Sequence, residues 1–114
     1  MNKFTEIIDT YLLNYSTYCQ GKISFECEQG ELIFNKKHNK MITLFGIYIF
    51  PEYRKKGLCR GILQYLIDNS LYFNYFCVES VLSKVLYEYL LRFKYKNNKF
   101  KKTCCGFVFK LNSI

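Results

Sequence analysis

The stretch that most constrains this chain is Ile47-Tyr48-Ile49-Phe50-Pro51-Glu52-Tyr53-Arg54-Lys55-Lys56-Gly57-Leu58-Cys59-Arg60-Gly61-Ile62-Leu63. Apolar residues run into Pro51, which has no N–H to offer a central ladder and so closes a strand. Three cations and Gly57 follow, and then an apolar pattern at helical spacing. The order predicted is strand, basic glycine loop, helix. Gly57 reaches backbone angles that a side chain forbids, so the amides around it can converge on one point. The helix that begins there adds unpaired N–H groups and the positive end of its dipole. Together these features form a seat for a phosphate or a diphosphate.

The same residues resemble the acetyl-CoA loop of the GCN5-related N-acetyltransferases. That segment typically reads Val-x-Pro-Glu-Tyr-Arg-x-Lys-Gly-x-Gly-x-x-Leu-Leu. Ile49 stands at the Val, and Pro51, Glu52, Tyr53, Arg54, Lys56 and Gly57 match directly. Ile62 and Leu63 open the helix. Cys59 stands where Gly or Ala is usual. The resemblance implies an α/β (α+β) acyl-CoA N-acyltransferase fold, a mixed sheet flanked by helices with a shortened front. It implies acetyl-CoA as co-substrate and a primary amine, on a protein or a small molecule, as acceptor. Ile47, Tyr48 and Ile49 would run beside the pantetheine arm. Arg54, Lys55, Lys56, Gly57, Leu58, Cys59 and Arg60 would hold the pyrophosphate, mostly through main-chain amides, with Lys55, Lys56 and Arg60 adding charge at the rim.

A second run carries the resemblance further. Family members often show Asn-x-x-Ala-x-x-Leu-Tyr-Glu-x-x-Gly-Phe on the last helix. Ser80 to Glu88 falls in register, with Ser80 at the Asn, Ser83 at the Ala, and Leu86, Tyr87 and Glu88 matching outright. Phe93 comes one residue late and no Gly precedes it. Ser80 thereby joins the expected cofactor-binding set, and Tyr87 is the expected general acid. Tyr89, the competing tyrosine, falls on the core stripe of the helical wheel.

Acetyl transfer to an amine makes definite demands. A primary amine has an unperturbed pKa near ~10.4 and must lose a proton before it attacks. Glu79, at the end of a predicted strand, is the expected base, with Glu52 as the other candidate. A backbone N–H near Ile49 would meet the charge that develops on the attacked carbonyl. A phenol such as Tyr87 would protonate the leaving thiolate.

Length and composition set the outer limits. The 114 residues suffice for one domain, 1–114, and hydrophobic residues at 50% supply a core. Ala and Trp are absent while Lys, Asn, Ile, Tyr and Phe abound, which reads as codon bias from an AT-rich genome, such as that of a large DNA virus or a low-GC microbe. The net charge of +8 favours phosphorylated ligands, nucleic acid or acidic surfaces. Six cysteines without a Cys-x-x-Cys pair, and a lone His38, lack zinc-site spacings, so no metal is expected. Cys27 and Cys77 lie in strand-like runs and read as buried thiols of an intracellular protein. No signal peptide and no membrane span are visible, so the expected location is cytoplasmic, in the host if the source is viral.

Periodicity places the remaining elements. Phe4, Ile7, Ile8, Tyr11, Leu12 and Tyr15 predict an amphipathic helix ending near Gly21. Ile23 to Cys27 and Leu32 to Phe34 predict a hairpin turning at Gln29-Gly30. Asn35 to Lys40 reads as a polar connection. Met41 to Phe50 reads as a central strand buried on both faces, with Gly46 marking a bulge or a close backbone approach. The helix after the loop fades near Asn69-Ser70, and Gly61 would bring its first turn close to a neighbour. Tyr75 to Glu79 predicts a strand parallel to the central one. Val81 to Phe93 predicts a helix, Phe93 to Lys96 a short strand, Asn97 to Lys102 a basic turn, and Phe107 to Leu111 a closing strand.

Two rival readings stand beside the enzyme. The same fold can serve as a CoA-binding or host-interaction module without turnover. A basic strip of Lys94, Lys96, Lys99, Lys101 and Lys102 interleaved with Tyr95 and Phe100 is the weaker case, for nucleic acid. The abundance of Tyr and Phe also leaves room for a homodimer face.

Overall fold

The computed structural model describes residues 3–37, 40–70, 73–79, 87–88, 90–92, 100–102 and 106–110. Phe4, Ile8 and Tyr11 share one stripe of helix α1 (Lys3–Leu13), and all three are buried. Apolar spacing predicts helix as far as Gly21, but α1 stops at Leu13 and Tyr15 lies in a 3-10 turn over Tyr15–Thr17. The physical reason is local competition for the backbone. The Thr17 hydroxyl donates to the Asn14 carbonyl at 2.7 Å, and the Asn14 amide donates back to Thr10 at 3.0 Å.

Strands β1 (Gly21–Cys27) and β2 (Gly30–Lys36) form the expected hairpin, with Glu28 and Gln29 at the turn. Ile23, Phe25, Leu32 and Phe34 face α1, and Tyr11 stacks on Phe34 at 4.1 Å between ring centroids. The polar connection begins later than predicted, because Asn35 and Lys36 belong to β2. Lys36 is buried on the helix side. Its ammonium donates to the carbonyls of Tyr15 at 2.8 Å and Tyr18 at 2.9 Å, and lies 4.6 Å from the Tyr15 ring centroid. A buried cation is tolerated there because carbonyls at the start of the 3-10 turn and just past its end take its protons.

Strand β3 (Met41–Ile49) pairs antiparallel with β2. The register steps from Ile33↔Gly46 to Phe34↔Leu44, so Phe45 is an extra residue and the bulge lies beside Gly46. Burial on both faces holds only for Ile42, Thr43 and Leu44. Past the bulge the strand is half-buried, and Tyr48 is 49% exposed. Helix α2 (Leu58–Asn69) crosses over to β4 (Tyr75–Glu79), which runs parallel to β3 as expected. Tyr65 on α2 donates to the Asp9 carboxylate on α1 at 2.6 Å, a bond that raises the pKa of its phenol.

Strands β5 (Phe100–Lys102) and β6 (Gly106–Lys110) complete a mixed sheet in the order β1-β2-β3-β4-β6-β5. Phe100–Lys102 is therefore the edge strand and not a turn. The strand predicted over 93–96 falls outside the described residues. Both α1 and α2 pack on one face of the sheet, around Leu32, Phe34, Ile42, Leu44, Phe76, Val78 and Phe107. No helix among the described residues is long and apolar enough to cross a membrane.

Candidate functional site: a left-handed loop beside two diverging strands

The last pair joining β3 to β4 is Leu44↔Val78. Strand β3 continues to Ile49, held on its other side by β2, while no strand among the described residues pairs with its β4-facing edge beyond Leu44. The bulge at Phe45 adds local twist where the two parallel strands part. Two glycines fix the outer flanks of this gap. A Cβ on Gly30 would meet the Tyr48 carbonyl oxygen at 1.9 Å, and one on Gly106 would meet that of Val78 at 1.8 Å. The neighbouring strands therefore lie closer than any side chain would allow.

The chain leaves β3 through a 3-10 turn at Pro51–Tyr53 and enters the basic loop. Arg54 Nε donates to the Ile49 carbonyl at 2.7 Å, and its guanidinium lies 5.4 Å from the Tyr48 ring centroid. Its side chain is thus folded back onto the strand. Lys55 is left-handed with φ 65°, and Gly57 is left-handed with φ 75° at the N-cap of α2. A non-glycine residue held in that region carries local strain, which is common at binding loops. Backbone turned this way bends successive N–H groups into an anion-binding concavity. A Cβ on Gly57 would meet nothing within 4 Å, so the space above it is open. Lys55, Lys56 and Arg60 are exposed around it.

Leu58 and Cys59 turn their side chains toward the core, leaving only their main chain to the loop. Burial pushes the Cys59 thiol up to about 11, so its sulfur is a packing group. Gly61 departs from expectation: nothing lies within 4 Å of its would-be Cβ, and it makes no close helix contact. Ile47 and Ile49 pack against the core, while Tyr48 projects to the other face.

Glu79 stands one residue past the last β3–β4 pair, on the face opposite the helices. Its carboxylate accepts from the Lys37 ammonium and, at 3.5 Å, from the Asn35 amide. Thr43 and Cys77 are paired beneath them and are buried. Burial and the Glu79 charge push the Cys77 thiol up to about 11, and Lys37 acts against them. The Thr43 hydroxyl is buried without a hydrogen-bond partner among the described residues. A lone threonine in the apolar run Met41 to Phe50 was the available sequence signal for it.

Tyr87 is half-buried, with its ring edge-on to Phe107 at 5.7 Å. Phe107 pairs with Val78, so Tyr87 packs next to the residue at which the strands part. Tyr87 thus lies on the helix face of the sheet, against the cross-strand partner of Val78, while Glu79 lies on the opposite face. Ser80 and Tyr89 lie outside the described residues. Glu52 is exposed at the 3-10 turn.

The sheet order, the parallel β3–α2–β4 unit and the flanking helices define the acyl-CoA N-acyltransferase fold of the GCN5-related N-acetyltransferases. The chain is similar to the solved ribosomal-protein-S18-alanine N-acetyltransferase from Escherichia coli, with TM-score 0.55 and 17% identity over 90% of this chain and 77% of that one. It is also similar to a structure from Desulfovibrio desulfuricans described as a GNAT-family acetyltransferase, with TM-score 0.56 and 15% identity over 94% and 78% of the two chains. At these identities the likeness is one of fold. No protein-family model matches the sequence, and no curated protein matches it.

Proposed function

We propose that this protein is an acetyl-CoA-dependent N-acetyltransferase acting on a primary amine. The observation that carries the reading is the loop itself. Left-handed Lys55 and Gly57 lead into α2 beside a strand edge that has lost its parallel neighbour. The amides from Lys56 to Cys59 would hold the diphosphate, with Lys55, Lys56 and Arg60 screening its charge. The open edge of β3 near Ile47 and Ile49 would pair with the amide groups of the pantetheine arm, as an unpaired strand edge pairs with any extended amide chain. When bound, acetyl-CoA would supply an acyl carbonyl activated by its thioester.

The remaining roles fall to this chain's own groups. Glu79 would take the proton from the acceptor ammonium. A main-chain N–H near Ile49 would stabilise charge on the carbonyl oxygen. Tyr87 would return a proton to the departing sulfur.

The test is release of free thiol from acetyl-CoA in the presence of a panel of primary amines, peptide N-termini and lysine peptides. Turnover that falls at least about tenfold in Tyr87→Phe supports the full assignment. A second reading, a CoA-binding module without turnover, is favoured by one observation: the carboxylate of Glu79 is already engaged by Lys37. Saturable CoA binding with no thiol release for any amine would establish that module. A basic nucleic-acid binder has less support, because the described part of its strip, Phe100–Lys102, is an edge strand where lysines deter strand-to-strand aggregation.

A further inference from the structure

Lys37 holds its primary amine on Glu79, one residue past the point where β3 and β4 part. The side chain of Lys37 is 46% exposed and that of Glu79 is 19% exposed, so the pair spans the boundary between solvent and the gap. Asn35 fixes the carboxylate from a second direction at 3.5 Å. An acceptor amine must present itself in just this way, as an ammonium on a carboxylate at the mouth of the divergence. We propose that Lys37 is itself an acetyl acceptor, modified within its own chain, and that its acetylation frees Glu79 for outside amines. The inference rests on the acetyltransferase reading above.

The step balances without a further reagent. The Lys37 ammonium gives one proton to the Glu79 carboxylate. Its nitrogen then attacks the thioester carbonyl, a C–N bond forms, and the C–S bond breaks. CoA leaves as the thiolate and is protonated, and the amide nitrogen loses its second proton to solvent. The product is neutral, so the ion pair is gone and one acceptor site on Glu79 opens. Holding amine and carboxylate together in advance removes the entropy cost of bringing an acceptor to the site.

The experiment uses the full chain with acetyl-CoA at pH 8. Acetylation of each lysine is followed by peptide mass spectrometry, and CoA binding is measured by calorimetry on the same preparations. Lys37 is expected to react about tenfold or more faster than the exposed Lys22, with a first-order rate independent of protein concentration. Glu79→Gln is expected to slow Lys37 by about a hundredfold, with CoA affinity unchanged. Lys37→Arg is expected to bind CoA and to show no compensating acetylation at Lys36. CoA binding with Lys37 reacting no faster than Lys22, or with a rate that follows protein concentration, overturns the in-chain acceptor and leaves the acetyltransferase reading standing. Absence of CoA binding overturns both.

Discussion

Arg54 ties the basic loop to the strand before it: its Nε donates to the Ile49 carbonyl at 2.7 Å while its guanidinium covers the Tyr48 ring. The residue that reads as a phosphate ligand in the sequence is, in the folded chain, a brace that sets where the loop begins. Under the proposed function, the diphosphate would fall to the main-chain amides of Lys56 to Cys59.

Arg54→Gln should therefore loosen the loop more than it removes charge from it. The group is exposed, so the loss is about 1 kcal/mol, or about fivefold in CoA affinity. Calorimetric titration checks this. Raising the salt concentration should weaken CoA binding to both proteins in parallel, since Lys55, Lys56 and Arg60 are untouched.

Gly57 and Gly61 should respond to alanine in opposite directions. Gly57 has φ 75° with open space at its Cβ, so alanine clashes with nothing and costs only the left-handed strain, about 1–2 kcal/mol. Gly61 lies inside α2 with nothing near its Cβ, so alanine should stabilise by about 0.5–1 kcal/mol. Urea midpoints of the two variants measure the signs.

Lys36→Met keeps most of the buried stem and removes the ammonium. It leaves the Tyr15 and Tyr18 carbonyls short of their donor. The expected cost is about 2 kcal/mol in the urea midpoint. An unchanged midpoint would mean that those carbonyls find other partners.

The thiols give a pH prediction. The exposed Cys19 should react with iodoacetamide at pH 8, while Cys59 and Cys77, both raised to about 11 and packed inward, should be protected until the chain unfolds. Because their folded pKa values lie above the ordinary value of 9.0, the folded state binds more protons through that interval. Their contribution to stability is full below about 9 and is lost as pH rises toward about 11. A stability profile from pH 8 to 11 should fall across this window, and less steeply in Cys59→Ser.

The central unit was legible because its signals are few and hard to substitute. Pro51 can only close a strand, and Gly57 marks a turn that other residues resist. Gly46 likewise signalled the bulge, although the extra residue is its neighbour Phe45. Lys36 was not legible, since a lysine beside Lys37 reads as surface until Tyr15 and Tyr18 are folded over it. Phe100–Lys102 reads as a turn because a three-residue edge strand rich in lysine has no alternation to detect. The engagement of Glu79 by Lys37, 42 residues away along the chain, depends on strand register that no local pattern encodes.

The most direct test of the account is amide-resolved NMR of the full chain titrated with CoA. The expected result is saturable shifts centred on the amides of Lys56, Gly57, Leu58 and Cys59, with a second set along Ile47 to Ile49. The contradicting result is no saturable shift in that loop, or shifts confined to Lys101 and Lys102 at the sheet edge.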